Sequence, residues 1–307
     1  LEHKAKNLII VLGPTAVGKS ETAIHLAKRF RGEIVNCDSM QVYRGFDIGT
    51  DKVPLEKRGN IPHHLIGIID PSVQFTAADF VRLAMKAVED IQKRKRIPMI
   101  SGGTGLYLQA LLEGLFPEGE KIPSLRKGLE RQAQRRGLEY LRKKLEEVDP
   151  CYARKIGKND RIRIIRALEV FTSTKIPLSE HFSHTRSFVE DFHILKIGLK
   201  LERSMIYEKI EARVDRMFQK GLVEEVRHLL AEGVEEDAPP FRALGYAQVL
   251  KFLRGELSLE QAIELTKQET RHYAKRQMTW FRKMEGIHWF SAVDITSITD
   301  YVRSHIA

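Results

Sequence analysis

Eight consecutive residues, Gly13-Pro14-Thr15-Ala16-Val17-Gly18-Lys19-Ser20, have the spacing G-x-x-x-x-G-K-[ST]. Glycines at both ends let backbone N–H groups turn inward around phosphate oxygens. Lys19 adds a point charge, and the Ser20 hydroxyl can ligate Mg²⁺. The apolar run 7–12 precedes the motif and a helical pattern over 19–30 follows it. The loop therefore opens a helix, whose N-terminal end favours an anion.

A phosphate loop does not say what is done with the phosphate. Its usual companion is a carboxylate at a strand end. Two aspartates follow short apolar runs, Asp38 after 33–37 and Asp70 after 65–69. Asp70 precedes Pro71 and suits a turn. Asp38 opens Asp38-Ser39-Met40-Gln41-Val42-Tyr43. A carboxylate beside a hydroxyl and an amide can hold an acceptor and take its proton. A helix cap by Asp38 or Ser39 is the alternative.

Other clusters speak less distinctly. Gly102-Gly103-Thr104-Gly105 follows a strand pattern over 98–101. Its glycines suit either close approach to a ligand or tight packing, and Thr104 offers a hydroxyl. His63 and His64 point to opposite faces of a strand, which argues against a shared metal. In the helix that opens near Asp160, Arg163 and Arg166 are three apart and share a face, while Ile162 and Ile165 can turn inward. Two guanidinium groups on one face suit phosphate; an ion-pair face with Glu169 is the other reading. Arg213 lies off the apolar stripe Ile206, Ile210, Val214 and Met217, which predicts an exposed charge. Lys267, Arg271 and Lys275 recur every four residues and predict a basic stripe. Tyr273, Trp280 and Phe281 interleave with it, a pattern of single-stranded nucleic-acid binding, although one ring of the Trp280–Phe281 pair is expected in the core.

The elements that must position these residues alternate in the first third. Strands at 7–12, 33–37, 65–69 and 98–101 are separated by helices at 19–30 and 76–95, the latter opened by Thr76 and Asp79. That order predicts a parallel sheet covered on both faces. From about 124 to 175 the pattern is helical and Arg-rich, and a strand over 192–199 resumes the α/β style. The final third is mostly helical, with Ser258 and Gln261 opening its last long helix. The expected organisation is a catalytic core, 1–120 and 186–307, with a helical insertion over 121–185, entered near 117–123.

The 307 residues carry a net charge of +10, of which +2 falls in 1–120, +8 in 121–197 and none in 198–307. A localised basic block points to a polyanionic partner or to a solvated helical surface. No apolar run is long enough for a membrane span, and 8–12 ends in the phosphate motif, which marks a strand and not a signal peptide. Two cysteines far apart, Cys37 and Cys151, exclude a disulfide framework and a structural zinc site, and a cytoplasmic location is expected.

Taken together, the phosphate motif, Asp38-Ser-Met-Gln-Val-Tyr43, Asp47-Ile-Gly-Thr50, Pro62-His-His-Leu65, Gly102-Gly-Thr-Gly-Leu-Tyr107, Arg166-Ala-Leu-Glu-Val170, Ala243-Leu-Gly-Tyr246 and Thr270 to Arg282 resemble the bacterial tRNA dimethylallyltransferases, also called tRNA isopentenyltransferases. The resemblance covers nearly the whole chain. It implies a P-loop, nucleoside-kinase-like α/β core carrying an inserted all-helical tRNA-binding domain. The implied activity moves a dimethylallyl group from dimethylallyl diphosphate to the exocyclic amine of the adenosine 3′ of the anticodon, with Mg²⁺ as cofactor. It assigns Asp38, with Thr15 and Lys19, to catalysis. Gly13, Pro14, Thr15, Ala16, Val17, Gly18, Lys19, Ser20, Arg166 and Arg213 fall to the diphosphate, and Ser20 to the metal. Asp38, Ser39, Met40, Gln41, Thr104, Arg163, Arg271 and Lys275 fall to the tRNA anticodon stem-loop. Many relatives carry Gln-Arg where this chain has Ile162-Arg163. A monomer without membrane contact is expected. The rival expectations are a small-molecule kinase with an Arg-rich lid, and an RNA-binding ATPase.

Overall fold

The computed structural model describes residues 6–115 and 123–306. The chain divides into two compact units, Leu1–Gln109 with Asp191–Ala307, and Ala110–Glu190. The expected entry to the insertion, near 117–123, falls largely outside the described residues.

The first unit opens with β1 (Lys6–Leu12), α1 (Lys19–Arg29), β2 (Gly32–Asn36), β3 (His63–His64), α2 (Ala77–Lys93) and β4 (Ile97–Gly102), and the division falls within α3 (Gly105–Glu113). The second holds α4 (Pro123–Arg136), α5 (Leu138–Val148), α6 (Pro150–Lys155), α7 (Arg161–Thr174) and α8 (Leu178–Ser183). The chain then returns with β5 (Phe192–Lys200), α9 (Arg203–Gln219), α10 (Leu222–Ala231), α11 (Tyr246–Leu253), α12 (Leu259–Phe281), β6 (Ile287–Ser291) and α13 (Ile295–His305).

The described strands form one parallel sheet in the order β3-β2-β4-β1-β5-β6. Leu8 to Leu12 of β1 are fully buried, as a central parallel strand covered on both faces must be. Ala23, Leu26 and Ala27 of α1 and Ile298 and Val302 of α13 pack with Ile9, Val11, Met99 and Ile197 of the sheet. α2 starts at a capping box in which Thr76 and Asp79 bond reciprocally at 3.2 Å, and it buries Phe80, Ala84, Val88 and Ile91. Such a cap contributes about 1 kcal/mol. The expected strand over 65–69 is corrected. β3 ends at His64, Leu65 takes φ +62°, and only Ile69 returns to bridge Tyr43. A bulky residue in that left-handed region turns the chain and ends the ladder.

The helical unit closes its own core on Leu129, Leu141, Leu145, Ile164, Ile165 and Leu168. Buried Asp149 caps α6 through Tyr152 N and accepts from Ser179 N (2.8 Å) and Oγ (2.6 Å), tying α6 to α8. Ile165 faces inward as expected, but Ile162 is 72% exposed. In the first turn of α7 it is Ile164 and Ile165 that occupy the core stripe. Among the described residues no helix is long and apolar enough to cross a membrane.

Candidate active site

Parallel strands present their carboxyl ends at one edge, where open α/β sheets bind ligands. The adjacent β2, β4 and β1 bring three segments there: Cys37–Asp38, 102–104 and the phosphate loop. Register places Leu12 beside Gly102 and Asn36 beside Ser101. The 102–104 segment is glycine-rich for packing. A Cβ on Gly102 would lie 2.1 Å from the Cys37 carbonyl oxygen.

The loop itself is pre-shaped. Ala16 holds φ +63°, a conformation that costs energy and persists where a site over-determines it. α1 begins with no side-chain cap, leaving its first N–H groups for an anion. The Lys19 ammonium donates to Pro14 O at 2.7 Å. Desolvation, with the nearby Arg213 charge adding, pushes Lys19 down to about 8. The Ser20 hydroxyl makes no hydrogen bond to another described residue, so it is available to a metal. Among the described residues no three His, Cys, Asp or Glu side chains cluster as a metal site. This donor set fits Mg²⁺ arriving with a diphosphate, since Mg²⁺ keeps waters and takes substrate phosphate oxygens.

Asp38 opens a turn and not the helix that its capping alternative required. Oδ1 caps the turn, accepting from Met40 N (2.8 Å) and Gln41 N (3.2 Å). Oδ2 has no hydrogen-bond partner among the described residues. Ser39 N donates to Thr104 Oγ1 at 3.1 Å, so Thr104 steadies the Asp38 turn. The Gln41 side-chain amide donates to Thr50 O (3.0 Å) and Asp51 O (3.4 Å). Cys37 is buried, and burial with the Asp38 charge pushes its thiol up, so it is no nucleophile.

Arg213 is not the exposed charge that its place off the apolar stripe predicts; it lies against the phosphate loop. Its side chain is 19% exposed, pairs with Asp51 at 3.2 Å and donates to Thr15 Oγ1 at 2.8 Å. Sequence reasoning missed Gln277. This buried side chain accepts from Thr15 N (2.8 Å) and donates to Gly103 O (2.9 Å), bridging the phosphate loop to the end of β4. Its only sequence signal was its place in the Thr270-to-Arg282 motif.

The basic stripe of α12 is partly paired. Lys267 pairs with Asp215 (2.8 Å) and Glu264 (3.0 Å), and Arg271 pairs with Glu211 (2.8 Å), so α9 neutralises two of its three charges. Lys275 is exposed. Phe281 is fully buried, as one ring of the pair had to be. In the helical unit Arg163 pairs with Asp160 (3.3 Å), and Arg166 with Glu169 (3.0 Å).

Two cavities open on this edge. One, of about 1200 Å³, is lined by the loop from Thr15 to Ser20 and by Asp38, Gln41, Arg213 and Tyr273. The other, of about 290 Å³, is lined by Thr15, Asp38, Met40, Arg213, Val214, Met217, Leu244 and Tyr273. Thr15, Asp38, Arg213, Met217 and Tyr273 border both.

A phosphate loop and a carboxylate with one free oxygen, facing each other across a parallel sheet edge, place the chain among P-loop α/β proteins acting on phosphorylated substrates. Residues 41–284 match the family model described as IPP transferase, and the chain belongs to that family. It is 49% identical over 288 residues to the tRNA dimethylallyltransferase of Geobacter metallireducens, covering 94% of this chain and 93% of that one. With the tRNA dimethylallyltransferase of Acetivibrio thermocellus the identity is 43% over 299 residues, 97% of this chain and 96% of the other. Among solved structures, a eukaryotic dimethylallyltransferase acting on tRNA superimposes with a TM-score of 0.82 at 31% identity, over 98% of this chain and 78% of that one. The tRNA isopentenylpyrophosphate transferase of Bacillus halodurans gives 0.72 at 38%, over 98% and 97%.

Proposed function

We propose that this chain transfers the dimethylallyl group of dimethylallyl diphosphate to the exocyclic amine of the adenosine 3′ of the anticodon in tRNA, releasing diphosphate. The observation that carries this reading is that both cavities end on Asp38. A donor can lie with its phosphates on the loop while an acceptor base approaches the same carboxylate. The relatives are named for prenyl transfer to tRNA, which favours this over phosphoryl transfer by a kinase.

The adenine amine is a poor nucleophile because its lone pair is delocalised into the ring. As its nitrogen bonds the allylic carbon, the carbon–oxygen bond to diphosphate breaks, and Asp38 Oδ2 takes the amine proton. Charge builds on the leaving diphosphate, where Lys19, Arg213 and the N–H groups of Gly18, Lys19 and Ser20 stabilise it. Ser20 would hold Mg²⁺, which would supply charge neutralisation at the diphosphate when bound. Val214, Met217, Leu244 and Tyr273 keep water from the allylic carbon. The target base leaves its stack to reach Asp38, beside Ser39, Met40, Gln41 and Thr104. Arg163, Arg166, Arg271 and Lys275 serve tRNA or diphosphate oxygens.

The test incubates the protein with unmodified tRNA and dimethylallyl diphosphate, then digests the tRNA and looks for prenylated adenosine by mass spectrometry. Its absence, with ATP-dependent phosphorylation of a small molecule in its place, would return the kinase reading.

A further inference from the structure

Two motifs, Asp47-Ile48-Gly49-Thr50 and Ala243-Leu244-Gly245-Tyr246, contribute only Leu244 to the transfer as described above. They meet in the fold. The Glu225 carboxylate of α10 accepts with Oε2 from Asp47 N (3.2 Å) and Ile48 N (2.8 Å), and with Oε1 from the Tyr246 hydroxyl. That hydroxyl in turn accepts from Gly49 N at 3.1 Å. Three successive N–H groups of one loop are therefore held by one carboxylate–phenol pair. The Tyr246 ring is fully buried against Phe46 and Phe241, with centroids 4.9 and 6.4 Å away. It fits only because residue 49 is glycine, for a Cβ there would lie 2.4 Å from the ring. Burial and the adjacent carboxylate push the phenol up, so it remains a donor.

The loop held this way carries two side chains of the site. Thr50 O and Asp51 O fix the Gln41 amide, and the Asp51 carboxylate fixes Arg213. We propose that Glu225 and Tyr246 are positioning residues of the transferase, holding the 47–51 loop so that Gln41 and Arg213 face the acceptor and the diphosphate. This rests on the transfer reading above. Neither residue borders either cavity, so neither touches substrate.

The experiment is a double-mutant cycle on the full chain. Tyr246→Phe keeps the ring packing and removes the hydroxyl, leaving Gly49 N and one Glu225 oxygen unpaired. Its kcat/KM for tRNA should fall about tenfold or more. Combined with Gln41→Ala, it should cost less than the product of the two single losses, because both act through one group. A merely structural role would lower the melting temperature and multiply independently with Gln41→Ala. Glu225→Gln, which keeps acceptor geometry at one oxygen, repeats the cycle if Tyr246→Phe folds poorly. An additive cycle in a wild type that prenylates tRNA would overturn the positioning role alone. A wild type that transfers nothing would overturn the transfer reading and this proposal with it.

Discussion

The sheet edge and the Arg-rich helices hold their polar groups by different means. At the edge each bond has a backbone atom at one end: Asp38 Oδ1 accepts from Met40 N, Thr15 N donates to Gln277 Oε1, and Gly103 O accepts from Gln277 Nε2. In the helical unit Arg163 and Arg166 sit on one helix and lean on carboxylates three residues away, Asp160 and Glu169. Backbone-held groups have one geometry and suit chemistry on a single bond. A half-exposed pair such as Arg163–Asp160 contributes little and leaves its guanidinium open to a phosphate. The proposed transfer asks for that difference, one region to react and the other to hold tRNA.

The largest effect expected is at the edge. Asp38→Ala should lower kcat by about 10²–10⁴-fold while tRNA affinity, measured by filter binding, is nearly retained. Near-normal turnover would leave the two regions without a functional distinction. Next comes pH. Lys19 is pushed down to about 8 in the free site, and a bound diphosphate favours its charged form, so binding above that pH requires proton uptake. Donor affinity should fall by about tenfold per pH unit above 8, and Lys19→Arg should flatten that fall, as isothermal titration can show. Third is Gln277→Ala, which frees Thr15 N and Gly103 O. A loss of about 1–3 kcal/mol in denaturant unfolding is expected.

The smallest effect divides the arginines among themselves. Arg163→Ala should reduce the salt dependence of tRNA affinity by about one unit of slope. Arg142→Met should leave that slope unchanged and lower stability instead. Arg142 is buried and donates to Ala153 O and Ile156 O, so it is part of the helical unit's core. Equal slopes for both variants would break the comparison.

What could be read in the sequence was local. The phosphate loop, the Asp38 turn and both capping boxes lie within a few residues, and their partners lie within the same motif. Partners far apart in sequence were not legible. Gln277 reaches Thr15 across 262 residues, and nothing about either residue type announces the other. The pairing of the α12 stripe was hidden for the same reason, since Glu211 and Asp215 belong to a different helix. At 65–69 the apolar pattern was real, but it records burial of Leu65 beside the sheet and not a ladder.

The strand that carries the phosphate loop lies between β4 and β5, and residues 192–198 supply one whole side of its hydrogen bonds. Gln277 is made later still. As the chain leaves the ribosome, the phosphate loop must therefore wait for a helix made some 262 residues later before its cradle is complete. During synthesis the apolar run before Gly13 is an unpaired strand, in need of shielding from its neighbours.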